Sequence, residues 1–390
     1  MYDCIIIGCG VSGLMASIFI KNKRVLIIEK NKTPGVKLLL TGNGRCNVTN
    51  LKSNNEFLEN VHNKKYMYSA LNNFGPYDIW NFFSKNNVPL TEEKDNRVFP
   101  KSQKAKDILN VLLNLSIKNG TKIIYNEEVT KIENNDTSKK VITNKNEYKC
   151  KYLIIATGGS SFKMTGSNGS NIKFAKMLNQ PTTNIYPCEV GIILSEKTNL
   201  AGTSFNDVKI KYKNYTSTGP LIYTHKGLSG EAIMSLGEYI YQNDDKEIEI
   251  DFLPTTTYEE LHQKLKTFNK EKEVKTFFET FFTKKFSDYL VSTLNLNAEK
   301  IKQLTKTNIE EVINIIKHKK YYNIKVDDLN NAYVTGGGID MKYIDSKDFQ
   351  SKINKNVYFL GEALDIHGRI GGYNITLALT TGYNCGINIK

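Results

Sequence analysis

A glycine pattern in the first thirty residues constrains the fold more than any other feature of the chain. An apolar strand is predicted over 3–7, and it leads into the spacing Gly-x-Gly-x-x-Gly over Gly8 to Gly13, before a helix predicted over 14–21. A second apolar run, 24–28, ends at Glu29, about twenty residues beyond the first glycine, where a ribose-binding acid belongs. This order of strand, helix, strand and acid predicts a dinucleotide-binding unit.

Each glycine has a physical role in that interpretation. Gly8 permits the tight turn, Gly10 lets the backbone approach a pyrophosphate, and Gly13 lets the helix pack closely on the strand. The N-terminus of the helix offers N–H donors and a positive dipole to the phosphates. The alternative is a glycine-rich turn that serves only the backbone.

A second glycine-rich segment follows at once: Gly35-Val-Lys-Leu-Leu-Leu-Thr-Gly-Asn-Gly-Arg-Cys-Asn-Val-Thr-Asn50. From Lys37 onward it resembles the bacterial flavoproteins known as NAD(P)/FAD-dependent oxidoreductases or the aminoacetone oxidase family, whose hallmark reads K-L-x-x-S/T-G-x-G-R-C-N-x-T-N. Further blocks match in order at 96–100 with Ala105, 156–162 with 165–169, 223–230, and 358–368 with 371–374. The resemblance therefore covers both ends of the chain and one segment in the middle.

The resemblance implies a FAD site and assigns residues to it. It implies that the flavin lies along Lys37, Thr41, Gly42, Gly44, Arg45 and Asn47, that the adenosine lies at Ala156, Thr157 and Gly158, and that the ribityl chain lies at Gly361 and Glu362. The glycines before a helix predicted over 375–385 would expose N–H groups to the reduced flavin; this segment is Gly371, Gly372, Tyr373 and Asn374. The candidate cofactor-binding set also contains Ser12, Lys30 and Val129.

Length and composition limit the class of protein. A chain of 390 residues with 40% hydrophobic residues predicts two or three ordered domains. No run approaches the roughly eighteen apolar residues of a membrane span, and Met1 is followed directly by the first strand, so a cytoplasmic protein without a membrane partner is expected. The six cysteines have no metal-type or paired spacing, so neither a disulfide framework nor a structural metal is expected.

The net charge leaves two interpretations open. Lys and Arg total 53 against 40 acids, a net charge of +13, which suits a polyanionic partner such as RNA. Lysine and asparagine are abundant everywhere, however, so compositional drift explains the excess equally well. A local basic cluster at Arg97, Lys101, Lys104 and Lys106 is either part of a nucleic-acid surface or a solvated start of a helix.

The patterns predict a discontinuous Rossmann-like α/β domain interrupted by insertions. Residues 1–190 and 327–390 are assigned to the FAD-binding domain, 191–254 to a β-rich insert, and 255–326 to a helical insert. Within the first domain, 122–125 and 152–155 are predicted strands, and 129–148 is predicted to form a polar hairpin or meander with a turn at 134–138. Within the inserts, a helix capped by Ser229 is predicted over 230–241, and helical spacing predominates over 258–320.

Four side chains could supply a proton to a substrate. Cys46 is the first choice because the hallmark places it against the flavin, where Arg45 could lower the pKa of its thiol. His225 is second because its loop belongs to the insert expected over the substrate face. His367 and Tyr373 are further candidates, and for each of the four a structural role is the alternative.

The expected function is that of a FAD-dependent oxidoreductase. No second Gly-x-Gly-x-x-Gly follows a strand, so NAD(P)H is expected to visit only transiently. The resemblance implies three substrate classes: a ribosomal RNA uridine reduced to dihydrouridine, an unsaturated bile-acid intermediate, or an amine such as aminoacetone. The charge favours RNA, and a flavin-containing RNA-binding factor without turnover is the rival from another class.

Overall fold

The computed structural model describes residues 1–135 and 138–390 and divides the chain into two compact units. The first unit is Met1–Tyr186 with Tyr333–Lys390, and the second is Pro187–Ala332. Both chain ends therefore lie in the first unit, which makes it discontinuous. The two inserts predicted over 191–254 and 255–326 fall together in the second unit.

The strands occur throughout both units. In chain order they are β1 Tyr2–Ile7, β2 Val25–Ile28, β3 Thr49–Asn50, β4 Leu90–Glu93, β5 Arg97–Pro100, β6 Lys122–Ile124, β7 Val129–Asn134, β8 Lys139–Thr143, β9 Glu147–Ile155, β10 Tyr186–Cys188, β11 Ile192–Ile193, β12 Ser204–Tyr212, β13 Tyr215–Tyr223, β14 Gly227–Ser229, β15 Ile248–Asp251, β16 Lys319–Tyr321, β17 Lys325–Val326, β18 Val334–Gly336 and β19 Val357–Phe359.

The α-helices also occur in both units. They are α1 Val11–Phe19, α2 Val36–Leu40, α3 Asn54–Leu58, α4 Tyr68–Asn73, α5 Pro76–Lys85, α6 Ala105–Lys118, α7 Ser170–Met177, α8 Glu231–Met234, α9 Gly237–Gln242, α10 Tyr258–Thr267, α11 Val274–Phe278, α12 Lys284–Thr293, α13 Lys306–Lys317 and α14 Tyr373–Asn388.

A mostly parallel sheet organises the first unit. Its order is β6-β2-β1-β9-β8-β7, and β19 also pairs with β9. β6, β2, β1, β9 and β19 are parallel, whereas β7 and β8 form an antiparallel meander beside the first half of β9. The central strands are buried on both faces, as their continuous apolar runs require. The predicted Rossmann-like fold is confirmed, with the glycine turn and the ends of β9 and β19 at the same edge.

The predicted hairpin over 129–148 corresponds to the antiparallel pair β7 and β8. Part of its predicted turn, Asp136 and Thr137, lies outside the described residues. The N–H of Asn135 donates to the carbonyl of Ser138 at 3.1 Å.

The second unit is built on an antiparallel sheet of order β16-β15-β12-β13-β14-β11-β17. Its core contains an aromatic cluster in which Phe205 packs against Phe252, Phe282 and Phe286. Phe277, Phe278 and Phe286 of the helical segment are fully buried.

The single helix predicted over 230–241 is wrong. The segment forms two short helices, α8 and α9, and α9 begins at Gly237, a residue type that weakens a continuous helix. Glycine is needed at this position, because a Cβ there would lie 2.6 Å from the carbonyl oxygen of Val190. Ser229 does not cap it either, since Ser229 belongs to β14 and pairs with Ile222; the N-cap residue is Gly230. Among the described residues, no helix has both the length and the apolar character needed to cross a bilayer.

Candidate functional site

Of the three motif glycines in the turn between β1 and α1, only one has open space beside its Cα. A Cβ at Gly8 would lie 2.4 Å from the carbonyl oxygen of Ala156, and a Cβ at Gly13 would lie 2.3 Å from that of Gly8. A Cβ at Gly10 would meet nothing within 4 Å. Gly8 and Gly13 are thus needed by the fold itself, whereas the open space at Gly10 lies at the N-terminus of α1, where a pyrophosphate would fit.

Glu29 is held beneath this turn at the end of β2. Its Oε2 accepts a hydrogen bond from the N–H of Cys9 and its Oε1 one from the N–H of Asn31, both at 2.8 Å. The side chain is buried, yet each carboxylate oxygen has a further lone pair available for a ribose hydroxyl. Beside it, burial lowers the pKa of the half-buried Lys30, while Glu128 and Glu29 oppose that shift. Val129 begins β7 and is buried.

The turn after β9 carries an unsatisfied polar atom. Ala156 continues the sheet through its N–H, which donates to the carbonyl of Ile7 at 2.9 Å. The Oγ1 of Thr157 is buried and has no hydrogen-bond partner among the described residues. A buried hydroxyl without a partner costs free energy, so this atom fits the polar edge of a ligand at the predicted adenosine side. Gly158 follows with a φ of +70°.

An ion pair joins the hallmark segment to the end of β19. Nζ of Lys37 lies 2.7 Å from Oε2 of Glu362 and donates to Oγ of Ser161 at 2.8 Å. Oε1 of Glu362 accepts from Oγ of Ser161 at 3.0 Å and from the N–H of Thr335 at 2.9 Å. Burial raises the pKa of Glu362, but the charge of Lys37 and these hydrogen bonds outweigh burial, so its pKa lies below the ordinary value. The carboxylate is therefore ionised at neutral pH.

Thr335 was missed by sequence reasoning. Its Oγ1 accepts from the N–H groups of Ser160 and Ser161 at 2.8 and 3.0 Å, so it fixes the loop that carries Ser161. The available signal was its position directly before the glycine run Gly336-Gly337-Gly338.

The hallmark segment forms a short 3₁₀ turn over Thr41–Gly44, in which Gly42 has a φ of +56°. Arg45 points away from the thiol that follows it: Nη1 donates to Glu93 at 3.1 Å and to Gln103 at 2.9 Å, and the guanidinium lies 4.1 Å from the ring centre of Phe99. Asn47 has a buried Oδ1 without a hydrogen-bond partner among the described residues, a second atom that fits a ligand donor.

Cys46 does not have the environment expected of a proton donor. It is 0% exposed, and burial raises the pKa of its thiol to about 12, although a hydrogen bond with Thr41 opposes the shift. The expectation that Arg45 lowers this pKa is wrong, because Arg45 is engaged with Glu93. In this structure Cys46 packs in the interior of the first unit.

The other predicted donors lie in different places. His225 lies in the exposed turn between β13 and β14 of the second unit, where the N–H of Thr224 donates to the carbonyl of Gly227. Tyr373 is buried against Phe57, with ring centres 4.6 Å apart. His367 is also buried, and its ring stacks on His62, which sequence reasoning did not identify.

The last helix begins where the flavin ring is expected, two residues earlier than predicted. Gly372, with a φ of +94°, is the N-cap residue of α14, and Gly371 precedes it with a φ of +128°. Asn374 uses its side chain to hold the preceding loop: it donates to the carbonyl of Gly368 at 2.7 Å and accepts from its N–H at 2.9 Å. The N–H groups of the first turn therefore remain as donors for an anionic ring.

The basic cluster at Arg97, Lys101, Lys104 and Lys106 belongs to the first unit. Arg97 is in β5, and Lys101, Lys104 and Lys106 are exposed around the start of α6, with Lys104 as its N-cap residue. The structure brings this cluster close to the hallmark segment through Gln103, which bonds Arg45.

The parallel sheet, the open glycine turn and the polar groups at its strand ends define an oxidoreductase of the FAD-dependent class. The chain belongs to the family described as HI0933-like protein Rossmann domain, whose model matches residues 2–388.

Curated relatives align over almost the whole chain. It is similar to the ribosomal RNA dihydrouridine synthases of Haemophilus influenzae, at 28% identity over 99% of this chain and 98% of that protein, and of Escherichia coli, at 26% over 98% and 97%. It is also similar to the 3-dehydro-bile acid delta(4,6)-reductase of Clostridium scindens, at 25% over 98% and 97%. Among solved structures, a quinol fumarate reductase chain of Escherichia coli aligns with all of this chain and 69% of its own, with a TM-score of 0.52 and 12% identity, which indicates a shared fold.

Proposed function

We propose that the protein uses FAD and NAD(P)H to reduce an activated carbon–carbon double bond, and that its substrate is a uridine in large-subunit ribosomal RNA. The observation that carries the proposal is the end-to-end similarity to two ribosomal RNA dihydrouridine synthases, combined with a glycine turn whose open position fits a dinucleotide. A cytoplasmic location is part of the proposal, because ribosomal RNA is found there.

The residues of the first unit support binding of the cofactor in a defined direction. The N-terminus of α1 would bind the pyrophosphate, with Ser12 in its first turn, and Glu29 would bind the adenosine ribose. Thr157 and Asn47 each offer a buried oxygen that lacks a partner. Glu362, ionised and oriented by Lys37 and Ser161, would accept a hydrogen bond from the ribityl chain.

Bound FAD would take a hydride from NAD(P)H and supply it to the double bond of the substrate. The protein must then favour negative charge on the ring, and the free N–H groups at the start of α14 would do so. The nicotinamide visits transiently in this proposal, since within residues 1–135 and 138–390 only one glycine-rich dinucleotide turn connects a strand to a helix.

An RNA substrate is also consistent with the positive charge of the chain. Lys and Arg side chains that neutralise phosphates increase affinity without specifying a base. The amine oxidase alternative has no comparable feature in its favour, whereas the similarity to a bile-acid reductase supports a small-molecule enone as the second candidate.

Two measurements test the proposal. Mass analysis of ribosomal RNA from cells with and without the gene should find, in the deletion strain, one uridine lighter by two hydrogens than its counterpart in the parent. The purified protein should be yellow, and NADH or NADPH should bleach its visible absorption band under anaerobic conditions. Identical RNA masses in the two strains would refute the RNA substrate, and bleaching that is reversed by an unsaturated bile acid would favour the second candidate.

A further inference from the structure

Two loops of the first unit, distant in sequence, are hydrogen-bonded to each other beside the last helix. The N–H of His62 donates to the carbonyl of His367 at 2.8 Å, and the N–H of Arg369 donates to the carbonyl of Asn60 at 3.2 Å. Nδ2 of Asn63 adds a bond to the carbonyl of Asp365 at 2.8 Å. These backbone contacts fix the relative positions of the side chains that the loops carry.

The side chains of these loops form a histidine pair with an acid. The rings of His62 and His367 stack with centres 4.8 Å apart and an interplanar angle of 14°. Nε2 of His62 lies 3.6 Å from Oδ1 of Asp365. Asp365 and His367 are buried, whereas the side chain of His62 is 38% exposed. The imidazole of His62 can therefore exchange a proton with solvent or substrate, whereas Asp365 and His367 are held in the interior.

The loop that carries Asp365 and His367 is fastened to the start of α14. Asn374, in the first turn of that helix, exchanges two hydrogen bonds with Gly368. Under the proposed function this helix start faces the flavin ring, so the histidine pair lies one loop away from the place where the substrate must bind. Cys46 offers no comparable route, since it is fully buried and its thiol has a raised pKa.

We propose that His62 donates the proton that completes reduction of the substrate double bond, and that Asp365 and His367 position it. This assignment rests on the proposed function. As hydride arrives at the carbon β to the carbonyl, the π bond breaks, and its electron pair takes the proton, at the neighbouring carbon, from the ring nitrogen of protonated His62 that does not face Asp365. The product gains two hydrogens, and His62 is left neutral.

The environment of His62 suits this cycle. The buried carboxylate of Asp365 needs a positive partner and orients the protonated ring, as an acid does for histidine in other proton-transfer sites. The stack on His367 restricts the ring further. Solvent exposure of His62 then allows water to return the proton after each turnover.

The test compares His62→Ala with His318→Ala in the full-length holoprotein. His318 is a matched control, because its Nδ1 also lies near a carboxylate, 3.0 Å from Glu249, and its side chain is 51% exposed, but it belongs to the second unit. Four readouts are needed: FAD content, the Kd for ribosomal RNA from the deletion strain, reduction of ferricyanide with NAD(P)H, and formation of dihydrouridine. Ferricyanide accepts single electrons and requires no proton on carbon.

We expect His62→Ala to keep its FAD content, RNA affinity and ferricyanide reduction within about twofold of wild type, and to form dihydrouridine about 100-fold more slowly or worse. Added imidazole should restore part of that rate. Asp365→Asn should lower kcat with little change in KM and should gain nothing from imidazole. His318→Ala should match wild type in every readout.

Two results would overturn the assignment. One is formation of dihydrouridine by His62→Ala at the wild-type rate. The other is a loss of FAD content and of ferricyanide reduction as large as the loss of dihydrouridine formation, which would give His62 a structural role. Failure of the wild-type protein to form dihydrouridine while it still reduces ferricyanide would instead refute the proposed RNA substrate. The two failures are therefore distinguishable.

Discussion

The two units of the chain differ in charge in a way that the whole-chain value conceals. The first unit has 33 Lys and Arg among its 244 residues and 19 Asp and Glu, whereas the second has 20 and 21 among 146. Basic residues are thus equally frequent in both, at about 14%, while acids fall from about 14% in the second unit to about 8% in the first. The whole net positive charge belongs to the unit with the dinucleotide turn.

This difference separates the two explanations of the charge. Compositional drift toward lysine would act on both units alike, and the equal frequency of basic residues is what drift predicts. Drift toward lysine does not account for the scarcity of acids in one unit alone. Acidic side chains on a surface that approaches phosphates would repel them. The depletion of acids in the first unit therefore supports contact with a polyanion there.

The largest expected effect is on FAD content, at a glycine of the first unit that cofactor binding needs and folding does not. Gly10→Val should lower FAD content at least tenfold, because the new side chain would fill the open space at the N-terminus of α1. The free energy of unfolding of the FAD-free protein should change little, since a Cβ there meets nothing within 4 Å and the φ of −88° suits any residue. FAD content is measured by absorbance after denaturation.

Gly13→Ala is the matched control for that variant. Its Cβ would lie 2.3 Å from the carbonyl oxygen of Gly8, so it should destabilise even the FAD-free protein. Full FAD occupancy in Gly10→Val would contradict the assignment of the open space to the pyrophosphate.

The next effect concerns the charge difference between the units. The triple variant Lys101→Glu, Lys104→Glu and Lys106→Glu should weaken binding to ribosomal RNA about tenfold or more at moderate salt. In a plot of the logarithm of the binding constant against the logarithm of the salt concentration, each lost phosphate contact should reduce the steepness of the slope by about 0.7 for single strands. Filter binding across a salt series measures both. The matched variant in the second unit, Lys266→Glu, Lys270→Glu and Lys272→Glu, also replaces three exposed lysines. Equal losses in both variants would show that only total charge matters.

A third comparison uses one ion pair from each unit. Glu362→Gln breaks the pair with Lys37, and Asp251→Asn breaks the 2.6 Å pair that Lys317 forms in the second unit. Both pairs are largely buried, so each variant should lose about 1–3 kcal/mol of unfolding free energy. Only Glu362→Gln should also lower FAD content, and an equal loss of FAD in Asp251→Asn would contradict this division of roles.

The pH dependence of the first pair has a definite sign. The pKa of Glu362 is lower in the folded protein than its ordinary value of 4.5, because the charge of Lys37 and the hydrogen bonds outweigh burial. Its stabilising contribution should therefore be complete above about pH 4.5 and should disappear as the pH falls through the lower, folded-state pKa. Urea denaturation of wild type and Glu362→Gln should give unfolding free energies that converge in acid.

The elements near each glycine motif could be predicted from the sequence because their signals are local. β1, α1, β2 and Glu29 lie within thirty residues, and the hydrogen bonds of Glu29 reach only Cys9 and Asn31. The histidine pair could not be predicted in this way, because its two loops are far apart in the sequence. Asn63 and Asp365, which join them by a hydrogen bond, are separated by 302 positions. The direction of Arg45 likewise depends on Glu93 and Gln103, which meet it only after β4 and β5 have formed.

The smallest expected effect tests the burial of Cys46. Cys46→Ala should form dihydrouridine at close to the wild-type rate, because a fully buried thiol with a pKa of about 12 is not placed to donate a proton. It should lose about 1 kcal/mol of unfolding free energy through the small cavity left in the core. Rapid-mixing assays of dihydrouridine formation and urea denaturation measure the two quantities. A loss of uridine reduction by two orders of magnitude, with FAD content and ferricyanide reduction intact, would restore Cys46 as the proton donor and remove that role from His62.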